Sequence, residues 1–255
     1  MKIKRIHAVF LRYFFNLVKI EQIADLFYWP LLDLMVWGIM SQWVGDRAIV
    51  APILTGIVLW QAVWRGNHEI AINLLEEFWS RNLFNLFSTP LQVGEWIISN
   101  MLLSIFKLCI ALAFGVGIVK LFFGINILLI GPIFLLFVFI LLFFGWSIGL
   151  ITAGLIINFG HRIQMLAWML TYMFSPFSGV FYPVEALPAW GRAIASCLPS
   201  AQVMQTMRSF LKGVPLSWDI LFLTLAKTTL FFSLSLLFFL WMFSCSKSKG
   251  LARFN

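Results

Sequence analysis

EIAINLLEEFWSRNLFNLFSTP, residues Glu69 to Pro90, is the one long polar-studded helical stretch between two blocks of membrane-grade hydrophobicity. At about 100° per residue, Ala71, Ile72, Leu75, Phe78, Trp79, Leu83 and Leu86 gather on one side. Glu69, Asn73, Glu76, Glu77, Ser80 and Arg81 gather on the other. Thr89-Pro90 then ends the pattern, because proline disfavours a helical residue before it. A helix with one greasy and one acidic face, tethered at both ends to spanning helices, is expected to lie along a membrane surface. Two readings follow: an ordinary interfacial loop helix, or a transmission element on which a soluble partner pushes.

Composition sets the class. Of 255 residues, 62% are hydrophobic and only 11% charged, and the mean hydropathy is +0.95. A soluble domain of this length does not need so much apolar surface, whereas a membrane domain does. Twenty-eight Phe and 12 Trp suit lipid contact with interfacial anchors. The formal charge of +8 sits mainly at the ends of apolar runs, so it reports topology and not a nucleic-acid groove. Cys109, Cys197 and Cys245 have neither metal spacing nor the pattern of a disulfide framework. The first apolar run opens near Leu26, too late and too long for a cleavable signal peptide.

The sequence predicts a single all-α membrane domain over 1–255. Residues 1–20 form an amphipathic interfacial helix, with Arg5, Arg12, Asn16 and Lys19 on one face and Ile3, Ile6, Phe10, Tyr13, Phe14 and Leu17 on the other. Six spans are expected at 26–45, 49–68, 97–122, 127–157, 163–182 and 217–243, each near or above the ~20 residues that cross about 30 Å of hydrocarbon. Arg65 interrupts the second and is expected to snorkel near its end. The fourth is long and is expected to tilt, to kink near Gly131-Pro132, or to run on into the cytoplasm. Between the fifth and sixth spans lies an apolar stretch, about 175–216, holding Pro176, Pro183, Pro188, Pro199 and Pro215. It reads as outer re-entrant helices over 183–212, or as a plain outer loop with one surface helix. With both ends inside, the inner segments hold Lys2, Lys4, Arg5, Arg12, Lys19, Arg65, Arg81, Arg162, Lys247, Lys249 and Arg253. The outer segments hold Arg47, Lys120, Arg192, Arg208 and Lys212, and eleven against five places both termini in the cytoplasm.

No phosphate-binding GxxxxGK[ST] loop occurs, and no catalytic or metal-ligand constellation stands out. His7, His68 and His161 each read as solitary. Asp33, Lys107 and Lys227 fall inside spans, where a charge costs roughly 2.5–3.5 kcal/mol on insertion scales. Either they snorkel, or Asp33 pairs with one of the lysines. Gly145-Trp-Ser-Ile-Gly149, followed by Ala153, is a small-residue face suited to close helix packing.

Two stretches carry a family resemblance. Leu74 to Trp96, LLEEFWSRNLFNLFSTPLQVGEW, is similar to the cytoplasmic segment of the membrane subunits of ABC (ATP-binding cassette) type-2 exporters, ending in a Thr-Pro-Leu turn. Ser175 to Gly213 resembles their outer segment, where a Gly-x-x-[FY]-Pro turn precedes a Leu-Pro and a further proline opens a helix. Here those residues are Gly179, Phe181, Tyr182, Pro183, Leu187, Pro188, Pro199 and Arg208. The chain departs at Ser80 to Asn82, where many members carry Gly-Thr.

The resemblance implies a permease for a drug, lipid or lipid-linked glycan in a cell membrane, with a bacterial plasma membrane expected. ATP and Mg would be held by a partner ATPase subunit and not by this chain, which is not expected to be an enzyme. A second copy of the chain would complete the pathway. Residues 69–90 become a coupling helix, with Glu69, Asn73, Glu76, Glu77 and Arg81 toward the ATPase. Gly179, Phe181, Tyr182, Pro183, Leu187 and Pro188 form an outer gate, and Leu59, Val63, Leu170, Met173 and Phe174 line the path. The competing class is an ATP-independent carrier or channel built on Asp33, Lys107 and Lys227.

Overall fold

The computed structural model describes residues 2–43 and 47–248. Residues 44–45 of the first expected span, together with Lys249 and Arg253, lie outside them, as do the side chains of Arg47, Phe84 and His161. The protein is 87% helical, with no strand among the described residues. In chain order the helices are α1 (Ile3–Phe14), α2 (Ile20–Ile23), α3 (Trp29–Trp43), α4 (Arg47–Trp79), α5 (Leu83–Ser88) and α6 (Val93–Phe123). They continue with α7 (Ile133–Phe159), α8 (Leu166–Phe174), α9 (Ala189–Cys197), α10 (Pro199–Leu211) and α11 (Trp218–Ser248).

Among the described residues five helices are long and apolar enough to cross a membrane: Ile20–Trp43, Ile49–Trp79, Val93–Phe123, Ile133–Phe159 and Trp218–Lys247. The chain is therefore an all-α, multi-pass membrane protein. The first of these runs through α2, a π-turn at Ala24–Tyr28 and α3 without a break. Local sequence fixes the others. A capping box between Gln92 and Glu95 starts α6, and left-handed Gly124 closes it by donating its N–H to Lys120 O. Gly131-Pro132 marks the start of α7 and not a kink within it, since a 3-10 turn at Ile127–Ile130 precedes the pair.

The expected fifth span, 163–182, is not one long helix. Its α8 has nine residues, a 3-10 turn at Ser175–Phe177 follows, and Gly179 is left-handed at φ 72°. Pro176 has no N–H to continue a helical ladder, and Gly179 supplies the turn. The broken segment still travels along α4. Asn67 Nδ2 donates to Ala167 O at 2.8 Å, and a Cβ on Gly56 would meet Val180 O.

Helix directions follow from what touches what. On α4 and α7, Val63 lies against Gly145 and Asn67 against Gly149. On α7 and α11, Phe143 meets Phe232, and Ser246 Oγ donates to Ile157 O. These three helices run parallel. Opposed to them are α3, where Asp25 (just before it) meets Arg65 while Leu34 and Val58 flank Gly115, and α6, where Asn100 meets Asn73 and Lys107 meets Glu69. The starts of α2 and α6 and the ends of α4, α7 and α11 thus share one end of the bundle with α1.

The tightest seam is α4 on α7. A Cβ at Gly145 would lie 2.6 Å from Val63 O and 2.9 Å from Val63 Cα, and one at Gly66 2.9 Å from Gly145 backbone. This is the small-residue face expected from the sequence, with Gly66 as its unforeseen counterpart. Gly145→Ala is predicted to cost about 1–3 kcal/mol, since two backbones would have to separate. Gly94→Ala, which meets nothing within 4 Å, is expected to leave the thermal midpoint of the detergent-solubilised chain unchanged or higher. Equal midpoints for the two variants would contradict this packing.

Candidate functional site

The charged groups gather at the α1 end, and they are buried. Glu69, Asn73 and Glu77 lie on one stripe of α4 and are at most 3% exposed. The expected surface helix over 69–90 is corrected accordingly. Glu69 to Trp79 is the last third of a continuous 33-residue helix. Only after a turn at Ser80 to Asn82 does the six-residue α5 begin. The acidic face meets a second polar face instead of water.

That second face belongs to the opening segment. Arg12 Nη2 lies 2.8 Å from the Glu77 carboxylate, and Tyr13 Oη donates to it at 2.9 Å. Asn82 Nδ2 adds a 2.7 Å bond to Glu77. Trp96 Nε1 donates to Tyr13 Oη at 3.1 Å, which ties in α6. Burial, with the Glu77 charge beside it, pushes the Tyr13 phenol well above its ordinary range, so it remains a donor. Asn16 and Gln22 each donate to Glu76 at 3.2 Å. Glu95 accepts the Lys2 backbone N–H at 2.7 Å, and Arg5 donates to Pro90 O in the Thr-Pro turn.

Deeper lies a buried charge cluster. Lys107 Nζ donates to Glu69 at 2.6 Å and to Gln22 at 2.8 Å, with Lys107 2% and Glu69 1% exposed. Arg65, at 0% exposure, pairs with the Asp25 carboxylate. The π-turn explains the second Arg65 contact. In a π-turn Asp25 O would accept from the N–H of residue 30, but residue 30 is proline. Arg65 Nη2 supplies the missing donor at 2.5 Å. His68 Nε2 and Trp64 Nε1 approach Asp25 at 3.5 and 3.3 Å. Arg65 therefore does not snorkel, and His68 is not solitary.

Donor atoms of Asp25, His68 and Glu69 lie within 4.8 Å of one another, close enough to share a metal ion. Arg65 and Lys107 already match the two carboxylates charge for charge. A divalent cation there would sit beside two buried positive groups, so the donor set does not fit one.

The remaining expected residues are dispersed. Asp33 pairs with neither lysine: Lys107 holds Glu69, and Lys227 donates to Ser196 O at 3.0 Å. Leu59 and Val63 are completely buried, Val63 against α7, while Met173 on α8 is exposed and Leu170 and Phe174 are half-buried. Glu76 is half-buried and Arg81 exposed, with Arg81 in a left-handed turn at φ 53°. The outer residues do cluster. Arg208 Nη2 holds Gly179 O and Val180 O at 3.0 and 2.9 Å. Phe181 stacks on Trp37 at 4.3 Å, and Tyr182 Oη donates to Pro176 O at 2.7 Å. Pro183 and Pro188 are exposed, and half-buried Leu187 packs beside Gly191.

Sequence reading missed Asp25, Gln22 and Glu95 as site residues. The available signal was Pro30 inside an apolar run five residues after an acid, which leaves a backbone carbonyl in need of a donor. No family model matches the chain, and no curated protein matches it.

Lys107→Met leaves buried Glu69 with only Arg65, 3.9 Å away, as a basic neighbour, and removing one partner of such a pair costs up to about 3–5 kcal/mol. Much of that loss is expected to return in Lys107→Met/Glu69→Leu, read as the thermal midpoint and the monodisperse fraction in detergent. A double variant no better than the single would show that the pair is not a unit.

Proposed function

We propose that this chain is the membrane subunit of an ATP-driven exporter, moving a hydrophobic or amphipathic substrate outward with energy from a separate ATPase. The observation that carries the reading is the fastening of α1 to the end of α4 and the start of α6 by hydrogen bonds and by ion pairs to the buried carboxylates Glu77 and Glu95. A force applied at that end reaches three elements together and, through Glu69, Lys107, Arg65 and Asp25, the first spanning helix. Beside the fastening is an open polar cleft of about 470 Å³, lined by Arg12, Asn16, Lys19, Glu21, Glu76 and Ser80 among others. It offers a soluble partner both signs of charge.

In this reading the α1 end faces the cytoplasm, as the excess of Lys and Arg there supports. ATP and Mg are held by the partner, and its closure moves the Glu69–Pro90 stretch. A second copy of the chain completes the pathway along α4 and the α8 segment, and the cluster around Gly179 and Arg208 forms the outer gate. The carrier alternative draws less support, because Asp33, Lys107 and Lys227 meet different surroundings.

The structure changes which residues are clean probes of coupling. Glu77 is bound on three sides and its reversal would damage the fold, whereas Arg81 is exposed. Arg81→Gly is expected to ease the left-handed backbone, leaving the thermal midpoint unchanged or slightly higher. It should also lower export-coupled ATPase stimulation several-fold in the complex captured from native membranes by the tagged chain. Capture of no ATPase in a detergent that keeps the chain monodisperse would refute the exporter reading, and unchanged stimulation in Arg81→Gly would remove Arg81 from the contact.

A further inference from the structure

We infer that a cleft at the end of the bundle opposite α1 binds an uncharged polyol headgroup, such as a glycosyl group, carried on an apolar chain. As a role in export this rests on the function proposed above; as a binding site it does not. One wall is α10, where Gln202, Gln205, Thr206 and Ser209 recur at the spacing of a single helix face. Val203, Met204 and Met207 of the same helix are buried against the bundle, so the amide and hydroxyl stripe is its outward side. The facing wall is Val214, Leu216, Ile220 and Leu223, from the connecting turn and the start of α11. Left-handed Gly213, at φ 83°, turns the chain between the two walls. The space they enclose is about 460 Å³, within the ~300–1,000 Å³ of small-molecule sites.

The chemistry of the lining selects the ligand. Among the described residues no Lys, Arg, His or aromatic ring lines the cleft. Arg208, the basic residue of α10, is committed to the carbonyls of Gly179 and Val180. Nothing therefore neutralises a phosphate, which would also meet the Glu185 carboxylate. A cation would find one exposed carboxylate, which already accepts from Gln205 Nε2 at 3.2 Å, and no ring face. Amides and hydroxyls, by contrast, each supply a donor and an acceptor. Polyol hydroxyls do the same, so they can satisfy such a row without carrying charge. The row is held in place, with the Gln202 amide 3.1 Å from the Thr224 hydroxyl of α11 and Thr206 donating to Gln202 O at 2.8 Å. The Ser209 and Ser217 hydroxyls make no hydrogen bond among the described residues and are open to a ligand.

The apolar wall accounts for the chain. Val214, Ile220 and Leu223 are exposed, and Trp218 and Phe222 beside them stand exposed in the first turns of the α11 span. An exposed tryptophan at the end of a span marks the boundary between water and hydrocarbon. From Leu223 the same helix face continues through exposed Leu230, Leu234 and Leu237. A headgroup in the cleft thus has an apolar track directly below it. The polar stripe and Arg208 belong to one helix, so an occupied cleft also bears on the Gly179 turn.

The test titrates the full chain in nanodiscs of phosphatidylglycerol and phosphatidylethanolamine with radiolabelled dodecyl maltoside, kept below its micelle concentration. Dodecyl phosphate and dodecyltrimethylammonium should not compete, and maltose without a chain should compete at least about tenfold less well. Gln205→Leu should weaken binding about tenfold and Ser209→Ala several-fold, the range of one lost hydrogen bond each. Ser209 is exposed, so its variant serves if Gln205→Leu does not fold. Wild-type affinity in every variant that folds, or competition by either charged amphiphile equal to that of unlabelled dodecyl maltoside, would overturn the inference. In the complex captured with its ATPase, stimulation of hydrolysis by the probe, lost in Gln205→Leu, would assign the headgroup to the exported substrate. Binding without stimulation would assign it to a resident membrane lipid. Probe binding with no captured ATPase overturns the exporter reading alone, and a captured ATPase with no probe binding overturns this site alone.

Discussion

Charge inside an apolar helix bundle must be neutralised where it stands, and that constraint organises one end of this protein. Asp25, Glu69 and Glu77 are each almost enclosed, and each meets a basic group from another segment: Arg65, Lys107 and Arg12. A buried pair adds little net stability over apolar packing, but losing one member is expensive. Such pairs therefore dictate which segments sit together. Here they hold the basic opening helix against the ends of α4 and α6, and they hold the π-turn of the first spanning helix against the middle of α4. The tight glycine seam between α4 and α7 extends the same body to the other side of α4.

The bundle itself was legible in sequence. Long apolar runs located α6, α7 and α11, though the run holding α7 was drawn from residue 127, ahead of the 3-10 turn and Gly131-Pro132 that precede the helix. The small-residue stretch around Gly145 marked a close helix contact. The polar residues were legible one helix at a time. Arg12 and Asn16 formed one hydrophilic face and Glu76 and Glu77 another, and each face read as turned to solvent or headgroups. Periodicity shows that a face is polar but not what it meets. Because the two faces meet each other, α4 runs on to Trp79, and the expected surface helix shrinks to a short turn and α5. Asp25 escaped notice for a similar reason: the first span was drawn from residue 26, one position beyond the acid that Arg65 binds. The fifth expected span failed because composition is blind to backbone. Residues 163–182 are uncharged and largely apolar, yet Pro176 and left-handed Gly179 divide them.

The two ends differ in how they are held. Ion pairs dominate near α1, whereas near Gly179 the fastening is one arginine on two backbone carbonyls, an aromatic stack and buried Val203, Met204 and Met207 of α10. A bundle fixed by charge at one end and by softer packing at the other is suited to transmit displacement from the first to the second. Trp64 lies between, touching Asp25 on one side and Tyr172 on the other.

The most direct measurement of this account is a double-mutant cycle on Asp25 and Arg65. Stabilities of the wild type, Asp25→Asn, Arg65→Gln and the double variant would be read by reversible denaturation in micelles. The account predicts strong coupling, about 2 kcal/mol or more, because each single change leaves a buried group without its partner. Additive effects, with coupling within error of zero, would show that the two charges do not depend on each other. The buried pair could not then be what joins the π-turn of the first spanning helix to the middle of α4.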